Sequence, residues 1–589
     1  MSPFRLHSLL SPFPFPSSSV PDIDPSSSFT PASFERELKA LAAKAQTETW
    51  GKWAREQAAV YLKSGALLAL AALSSAVSQL ALSPAYGAIP AARWHARLLA
   101  AACFAGWSSN LLLSRALPFR TELLLPLVAA YVPLVQFVLG GAPAARLLTA
   151  HWGPLVTEAL TLFPLVGLSA ACVATYLDAA DLSALPGWLA DAAPGLGSYG
   201  FFKAAEVVLG GWRGGSYALF APSKLLLWTV PALLHTAFLN THVPTSTALA
   251  ALNRGLAPAG YVVLDRAESV TGYISVIDSP KEGFRLMRCD HSLLGGEWVK
   301  FLGQGQFKGN QVAEPVYGVF AMLEAVRLVK TPKPIPDNKA QALVIGLGIG
   351  TTPAALVAHG IDTTVVELDP VVHKFASKYF QLPSNHTAVI EDAVSYTARL
   401  AADETEARFD YIIHDVFTGG AEPIALFTLE FLQNLNTLLK PNGVVAIVQL
   451  RRRLRPPPPR IVVNTIKSVF PTCRIFREHP RDEADFAKTG RDFTNMVIFC
   501  TKHQQQGGGS GQISFREPTE RDMLNSPSRR AYLLPRHEVN EGDFVQGEEG
   551  DGILRRNETE RLVKWHEASA LGHWTVMRTV LPDAVWEAW

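Results

Sequence analysis

Between residues 58 and 244 the chain is written in long apolar runs with few interruptions. Residues 65–90, 98–114, 123–145 and 159–177 contain no charged side chain. About 20 apolar residues cross the hydrocarbon core of a bilayer, and runs without a polar face do not suit a soluble amphipathic bundle. These stretches therefore predict four membrane helices. Two further spans are expected at 183–202, which Pro186, Asp191 and Pro194 interrupt, and at 214–240, which carries Lys224 near its middle. Beyond residue 255 the pattern changes to short apolar strands alternating with helical spacing. Residues 343–345, 363–366, 387–390 and 411–413 are such strands, rich in Val, Ile and Thr. They predict an α/β domain whose strands are buried on both faces.

The chemistry-bearing residues cluster where those strands end. The first runs into Gly346, Gly348 and Gly350, and a helix follows from Thr351. Alternating glycines let a ligand lie against bare backbone. The second strand stops at Glu367, placed to accept hydrogen bonds from both hydroxyls of a ribose. The third ends in Glu391, Asp392 and Ala393, a corner suited to adenine with the Asp392 carboxylate taking the exocyclic amine. The fourth ends in His414 and Asp415. The dinucleotide fingerprint G-x-G-x-x-G would need a glycine at Thr351. The spacing here is G-x-G-x-G, the form used by S-adenosylmethionine-type domains.

The segments VIGLGIGTTP, VVELDPVVHKFASKYF, IEDAVSYTARL and FDYIIHDVFTGGAEPIALFTLEFLQNLNTLLKPNGVVAIV resemble the spermidine/spermine synthase family. Upstream, GYISVIDSPKEGFRLMRCDHSLLGGEW is similar to that family's small N-terminal β-hairpin domain, and AEPVYGVFAMLEAVRLV to the helix that follows it. The resemblance implies transfer of an aminopropyl group from decarboxylated S-adenosylmethionine to a small-molecule amine, with Asp415 and Tyr317 as catalytic residues. The family's upstream Asp-Gly-x-x-Gln is poorly kept, with Asp290 followed by His291 and no matching glutamine, and three further positions depart from the pattern. Ile349 stands where the family has an acid in the glycine loop, Thr418 replaces the second aspartate after the fourth strand, and Val319 replaces a glutamate after Tyr317. An alkyl diamine is doubly protonated near neutral pH, each amine titrating near about 10, so its site wants several carboxylates. The alternatives are methyl transfer from S-adenosylmethionine and a non-catalytic membrane protein that binds polyamine or nucleoside.

The expected architecture is an α-helical transmembrane domain joined to an α/β Rossmann-like domain of the S-adenosylmethionine-dependent methyltransferase type, with a small N-terminal β-hairpin domain. By residue, 1–57 read as a tail, 58–244 as the membrane domain, 255–310 as the small β domain and 311–503 as the Rossmann domain. Residues 504–552, entered through GGGSG, read as a flexible linker, and 553–589 as a Trp-rich helical segment. That segment packs on the core or sits at a membrane interface.

Lys39, Lys44, Lys52, Arg55 and Lys63 before the first span favour a cytosolic N-terminus, as Arg115 and Arg120 do for the second loop. A cytosolic donor then asks for a cytosolic catalytic domain and an even number of spans, six, leaving the sequons at Asn385 and Asn557 unmodified. Cys103, Cys172, Cys289, Cys473 and Cys500 show no spacing for a metal site or disulfide framework, so no metal is expected. A net charge of +1 gives no reason to invoke nucleic acid. The lipid bilayer is the expected partner, and the reading leaves room for a homodimer.

Overall fold

The computed structural model describes residues 31–182, 186–209, 224–239, 245–301, 312–403, 409–416, 423–451, 458–484, 494–502, 513–539 and 552–587. Thr418, Trp589 and most of the arginine–proline run at 451–459 lie outside them.

Six helices open the chain: α1 (Pro31–Tyr86), α2 (Ala88–Ala116), α3 (Leu125–Gly140), α4 (Ala142–Leu160), α5 (Leu162–Leu177) and α6 (Gly187–Leu209). The tail expected at 1–57 thus becomes helix from Pro31 and runs unbroken into the first apolar stretch. Pro194 is accommodated inside α6. Small residues set the packing. A Cβ built on Gly106 of α2 would lie 2.1 Å from the Gly167 carbonyl oxygen of α5, so the two backbones touch. Leu67, Leu99, Leu165, Val173 and Phe202 fill the core around that contact. A polar knot ties the bundle where apolar packing gives no orientation. Glu158 of α4 accepts from Gln79 (2.9 Å) and Ser78 (3.1 Å) of α1 and pairs with His95 Nδ1 of α2 at 2.7 Å.

Three helical stretches among the described residues are long and apolar enough to cross a membrane: Trp50–Tyr86, Thr121–Gly140 and Pro143–Leu177. Six such stretches were expected from the sequence. The long Pro143–Leu177 stretch takes up both α4 and α5.

Strands β1 (Val262–Glu268), β2 (Tyr273–Ser279), β3 (Phe284–Cys289) and β4 (Ser292–Glu297) form an antiparallel meander. The second sheet has eight strands in the order β12-β10-β11-β9-β8-β5-β6-β7. Its parallel half comprises β5 (Gln341–Ile345), β6 (Asp362–Glu367), β7 (Thr387–Ile390), β8 (Phe409–His414) and β9 (Leu439–Arg451). β10 (Thr472–Arg477), β11 (Thr494–Thr501) and β12 (His537–Glu538) add antiparallel. The chain moves outward in opposite directions from β5, to β6 and to β8. In a doubly wound sheet the crevice at that reversal is where ligands bind.

Two expectations are corrected here. The linker expected at 504–552 includes a docked strap at 513–539. Ile513 is fully buried, and Arg529 forms a bidentate pair with Glu324 in which neither side chain is exposed. Asp522 accepts from Arg516, Arg327 and Thr519, and burial is outweighed by these bonds, which hold its carboxyl far below the usual range. Such polar sequence reads as solvated until its partners, distant in the chain, are brought to it. The cysteines are the second correction. Cys473 and Cys500 are cross-strand neighbours on β10 and β11 and form a disulfide.

The C-terminal helix Val563–Val580 wedges between the two halves. Trp574 is buried, stacks on Tyr86 and donates from Nε1 to the Ala85 carbonyl at 3.0 Å. Trp586 is fully buried among Leu252, Leu256, Tyr261 and Leu286, and Arg288 donates to the Val585 carbonyl at 2.6 Å. These two tryptophans pack on protein.

Candidate active site

The glycine turn brings three strand ends within reach of one cleft because no side chain stands in its way. Gly346, Gly348 and Gly350 all have positive φ (87°, 53° and 88°). A Cβ on Gly346 would meet the Asp415 carbonyl oxygen at 2.1 Å, and one on Gly348 the Leu294 carbonyl oxygen at 2.6 Å. Alanine therefore fails at both on conformation and on space.

Glu367, at the end of β6, reaches back under this turn. Its Oε2 accepts from the Leu347 amide and its Oε1 from the Asp369 amide, each at 2.9 Å. Burial raises its pKa, and these amides oppose the rise. A carboxylate fixed by two backbone donors presents its remaining lone pairs to the cleft in one orientation, as a ribose diol requires. Asp392 caps the helix Ala393–Ala402, its Oδ2 taking the Ser395 amide (3.0 Å) and hydroxyl (2.8 Å). The cap leaves Oδ1 for a ligand. Ala393, small and buried at the first helical position, lets a flat ring approach. Asp415 follows β8, its amide bonded to the Ile345 carbonyl at 2.8 Å. Burial alone pushes its carboxyl up to about 7.

All of these except Gly350 line a single cleft, so the structure brings together Gly346, Gly348, Glu367, Asp392, Ala393 and Asp415. Gly350 lies behind the turn against Leu382 and starts the helix Thr351–Ala358. Tyr317 is not brought in. It caps the helix Gly318–Leu323 and lies edge-on to Phe320, and Phe320 is the ring that reaches the cleft. Helical phase counted from that cap turns Phe320 to the cleft. Burial, then the nearby Glu478 carboxylate, push the Tyr317 phenol up to about 12. His414 faces away from the cleft between Phe427 and Phe431, held neutral by burial at about 4. Ile349 is also absent from the cleft. It is 4% exposed in the core, where a Cβ on Gly295 of β4 would lie 2.9 Å from its Cγ1.

The small sheet supplies a wall that sequence reading overlooked. Thr271, Leu293 and Leu294 line the cleft beside Phe320, Leu368 and Val372. Asp369 latches that wall in place. Its carboxylate accepts from the Ser269 hydroxyl (2.5 Å), the Thr271 hydroxyl (2.6 Å) and the Thr271 amide (3.1 Å), and caps the helix Pro370–Tyr379. Burial raises its pKa, but these bonds prevail and hold it below the usual carboxylate value. The Ser-x-Thr at 269–271 was the available signal. Among the described residues no group of three His, Cys, Asp or Glu side chains is placed to hold a metal.

A bare glycine turn, the amide-held Glu367 carboxylate on the next strand and the Asp392–Ala393 corner on the third line one cleft at the strand ends of a Rossmann-like sheet. The family profile described as "Spermine/spermidine synthase domain" matches residues 322–477. The "N-terminal histidine N-methyltransferase" of Emericella nidulans is 44% identical over 553 residues, 89% of this chain and 96% of that protein. The chain belongs to the family of this enzyme. A "Polyamine aminopropyltransferase" of Vibrio vulnificus is 33% identical over 134 residues, 22% of this chain and 42% of that protein. Among solved structures, human Methyltransferase-like protein 13 in complex with SAH aligns with 39% of this chain and 93% of its own, at 23% identity and TM-score 0.27. The identity to the Emericella nidulans enzyme places the chain among S-adenosylmethionine-dependent methyltransferases. Aminopropyl transfer, the leading expectation from the sequence, gives way to its alternative, and the decarboxylated donor goes with it.

Proposed function

We propose that this chain transfers the methyl group of S-adenosylmethionine to a nitrogen of an N-terminal histidine on a peptide or protein. The identity to the Emericella nidulans enzyme, spread over 96% of that protein, carries this reading. The chemistry of the cleft supports it. Besides Glu367, Glu391, Asp392, Asp415 and Thr271, whose hydroxyl is taken up by Asp369, the lining side chains are apolar, among them Leu293, Leu294, Phe320, Leu368, Val394 and Leu426. Such walls would strip a diammonium chain of its water with little return, whereas a neutral imidazole ring costs far less to bury than a second charge.

The donor contributes a methyl carbon on a positive sulfur. The residues of the chain do the rest. The glycine turn and Glu367 fix the nucleoside, Asp392 and Ala393 hold the adenine edge, and Phe320 with Leu293 and Leu294 keep water from the sulfonium. The imidazole nitrogen takes the methyl as the carbon–sulfur bond breaks onto sulfur. Asp415, titrating near 7, can accept the proton that the methylated ring must release.

Mass spectrometry of paired peptides tests this. A peptide beginning with histidine should gain one methyl group from S-adenosylmethionine, and the same peptide preceded by one alanine should not. Methylation of both peptides, or of neither while a diamine is alkylated, refutes the acceptor assignment.

A further inference from the structure

The two ends of α1 differ in a way that fixes which side of a bilayer the catalytic half occupies. Lys39, Lys52, Arg55 and Lys63 all precede the uncharged stretch of α1 that begins at residue 65. Arg120 lies at the same level: Lys63 sits over the Tyr176 ring at 5.6 Å, Tyr176 bonds to Glu122, and Glu122 faces Arg120. Arg115, at the end of α2, precedes it directly. From Lys63 to Tyr86 an α-helix rises about 35 Å, more than the roughly 30 Å of a hydrocarbon core. Apolar side chains along the bundle face outward, Leu62, Phe104, Leu112 and Leu196 being 65–73% exposed. A lipid core is the solvent that such a surface suits.

The catalytic half is fastened to the other end. Trp574 bonds to Ala85 and stacks on Tyr86, Arg93 meets Glu567 at 3.5 Å, and Arg146 meets Asp583 at 2.5 Å. The cations at this end, Arg93, Arg97 and Arg146, are fewer than Lys39, Lys52, Arg55, Lys63, Arg115 and Arg120 at the other. The excess of Lys and Arg marks the cytosolic side of a membrane protein. That side is the end of α1 remote from the catalytic cleft.

Two independent features of the catalytic half agree. The Cys473–Cys500 bridge joins its β10 and β11, and disulfides persist in oxidising compartments. Asn385, in Asn-His-Thr, and Asn557, in Asn-Glu-Thr, are both exposed acceptors of the N-glycosylation pattern.

We propose that the helical half crosses a bilayer with the basic end of α1 in the cytosol and the catalytic half on the non-cytosolic face, where the Cys473–Cys500 bridge forms and Asn385 and Asn557 receive N-linked glycans. The crossings are then odd in number, and the methyl donor must be present on that face. This is the reverse of the arrangement that a cytosolic donor pool would suggest. The assignment does not depend on the identity of the acceptor.

The test uses the full chain, with one epitope before Met1 and another after Trp589, in sealed microsomes. Added protease should remove the N-terminal epitope and spare the C-terminal one until detergent is added. An endoglycosidase should shift the wild-type band, and the shift should vanish in the Asn385→Gln/Asn557→Gln double variant. In denatured, unreduced protein, maleimide should label Cys473 and Cys500 only after reductant is added. Digestion of the catalytic half in sealed vesicles overturns the orientation. A wild-type band that the glycosidase does not move overturns the glycan sites, and labelling of both cysteines without reductant overturns the bridge. Each of these readouts is independent of methyl transfer, so its failure is distinguishable from failure of the acceptor assignment.

Discussion

Asp415→Asn separates a working acid from a structural one. The carboxyl titrates at about 7 in the folded chain, against 3.8 for an unburied aspartate. Between those values the folded state binds more protons than the unfolded state, so stability falls as pH rises from about 4 to 7. Roughly three pKa units correspond to no more than about 4 kcal/mol, an upper limit because ligand and water screening reduce it. The Asn variant keeps the shape and removes the titration. Denaturant unfolding at pH 5 and pH 8 should therefore show the parent losing stability between the two, with the variant losing less. A single-turnover assay with the histidine peptide reads the chemistry. General-base help is worth about a hundredfold or more, so the variant should lose that much in rate and lose the limb that rises toward neutral pH. A stabilised variant with the parent's rate and pH profile would refute the role of Asp415 as proton acceptor.

Other substitutions test the parts around it. Glu367→Ala should weaken S-adenosylmethionine binding by about 1.5–3 kcal/mol in calorimetry, since the ribose loses a charged acceptor and the Leu347 and Asp369 amides are left unpaired. Arg529→Met should lower folding stability by about 3–5 kcal/mol, because Glu324 would remain as a buried charge without its partner, while Arg529→Met/Glu324→Leu should recover much of the loss in thermal melts. Ile349→Asp places a carboxyl in the packed contact with Gly295, 4% exposed, so it should destabilise the fold without creating preference for a decarboxylated donor.

The legible parts of this molecule were those in which a local residue pattern has one physical solution. Three alternating glycines after an apolar strand leave only a bare turn, and Glu367, Asp392 and Asp415 follow because a parallel sheet puts strand ends on one edge. What could not be read is whatever depends on partners far apart in the chain. Glu324 and Arg529 are unremarkable charges until the strap folds back and buries them together. Cys473 and Cys500, 27 residues apart, face each other only because β10 and β11 pair in that register. Tyr317 and Phe320 exchange places because helical phase depends on where the helix begins, and sequence patterns fix such boundaries poorly.

The departure at Ile349 takes on a different meaning once the small sheet is in view. A loop acid at that position would have to point into the cleft, and here the backbone of β4 comes too close for the loop to turn that way. Gly295 and Gly348 each have room for hydrogen alone, the first against Ile349 and the second against the Leu294 carbonyl. The sheet is held at that distance by Asp369, which takes three hydrogen bonds from Ser269 and Thr271 while capping its own helix. Apolar contact between loop and sheet thus replaces a charge that would have sorted donors by their carboxylate. On the methyl-transfer reading proposed above, the wall made by Leu293, Leu294 and Phe320 would direct the reaction, by shape and dryness setting which carbon on the sulfonium an entering nucleophile can reach. On the same reading, a short, flat imidazole would meet the methyl group across such a wall, and a long dication would not.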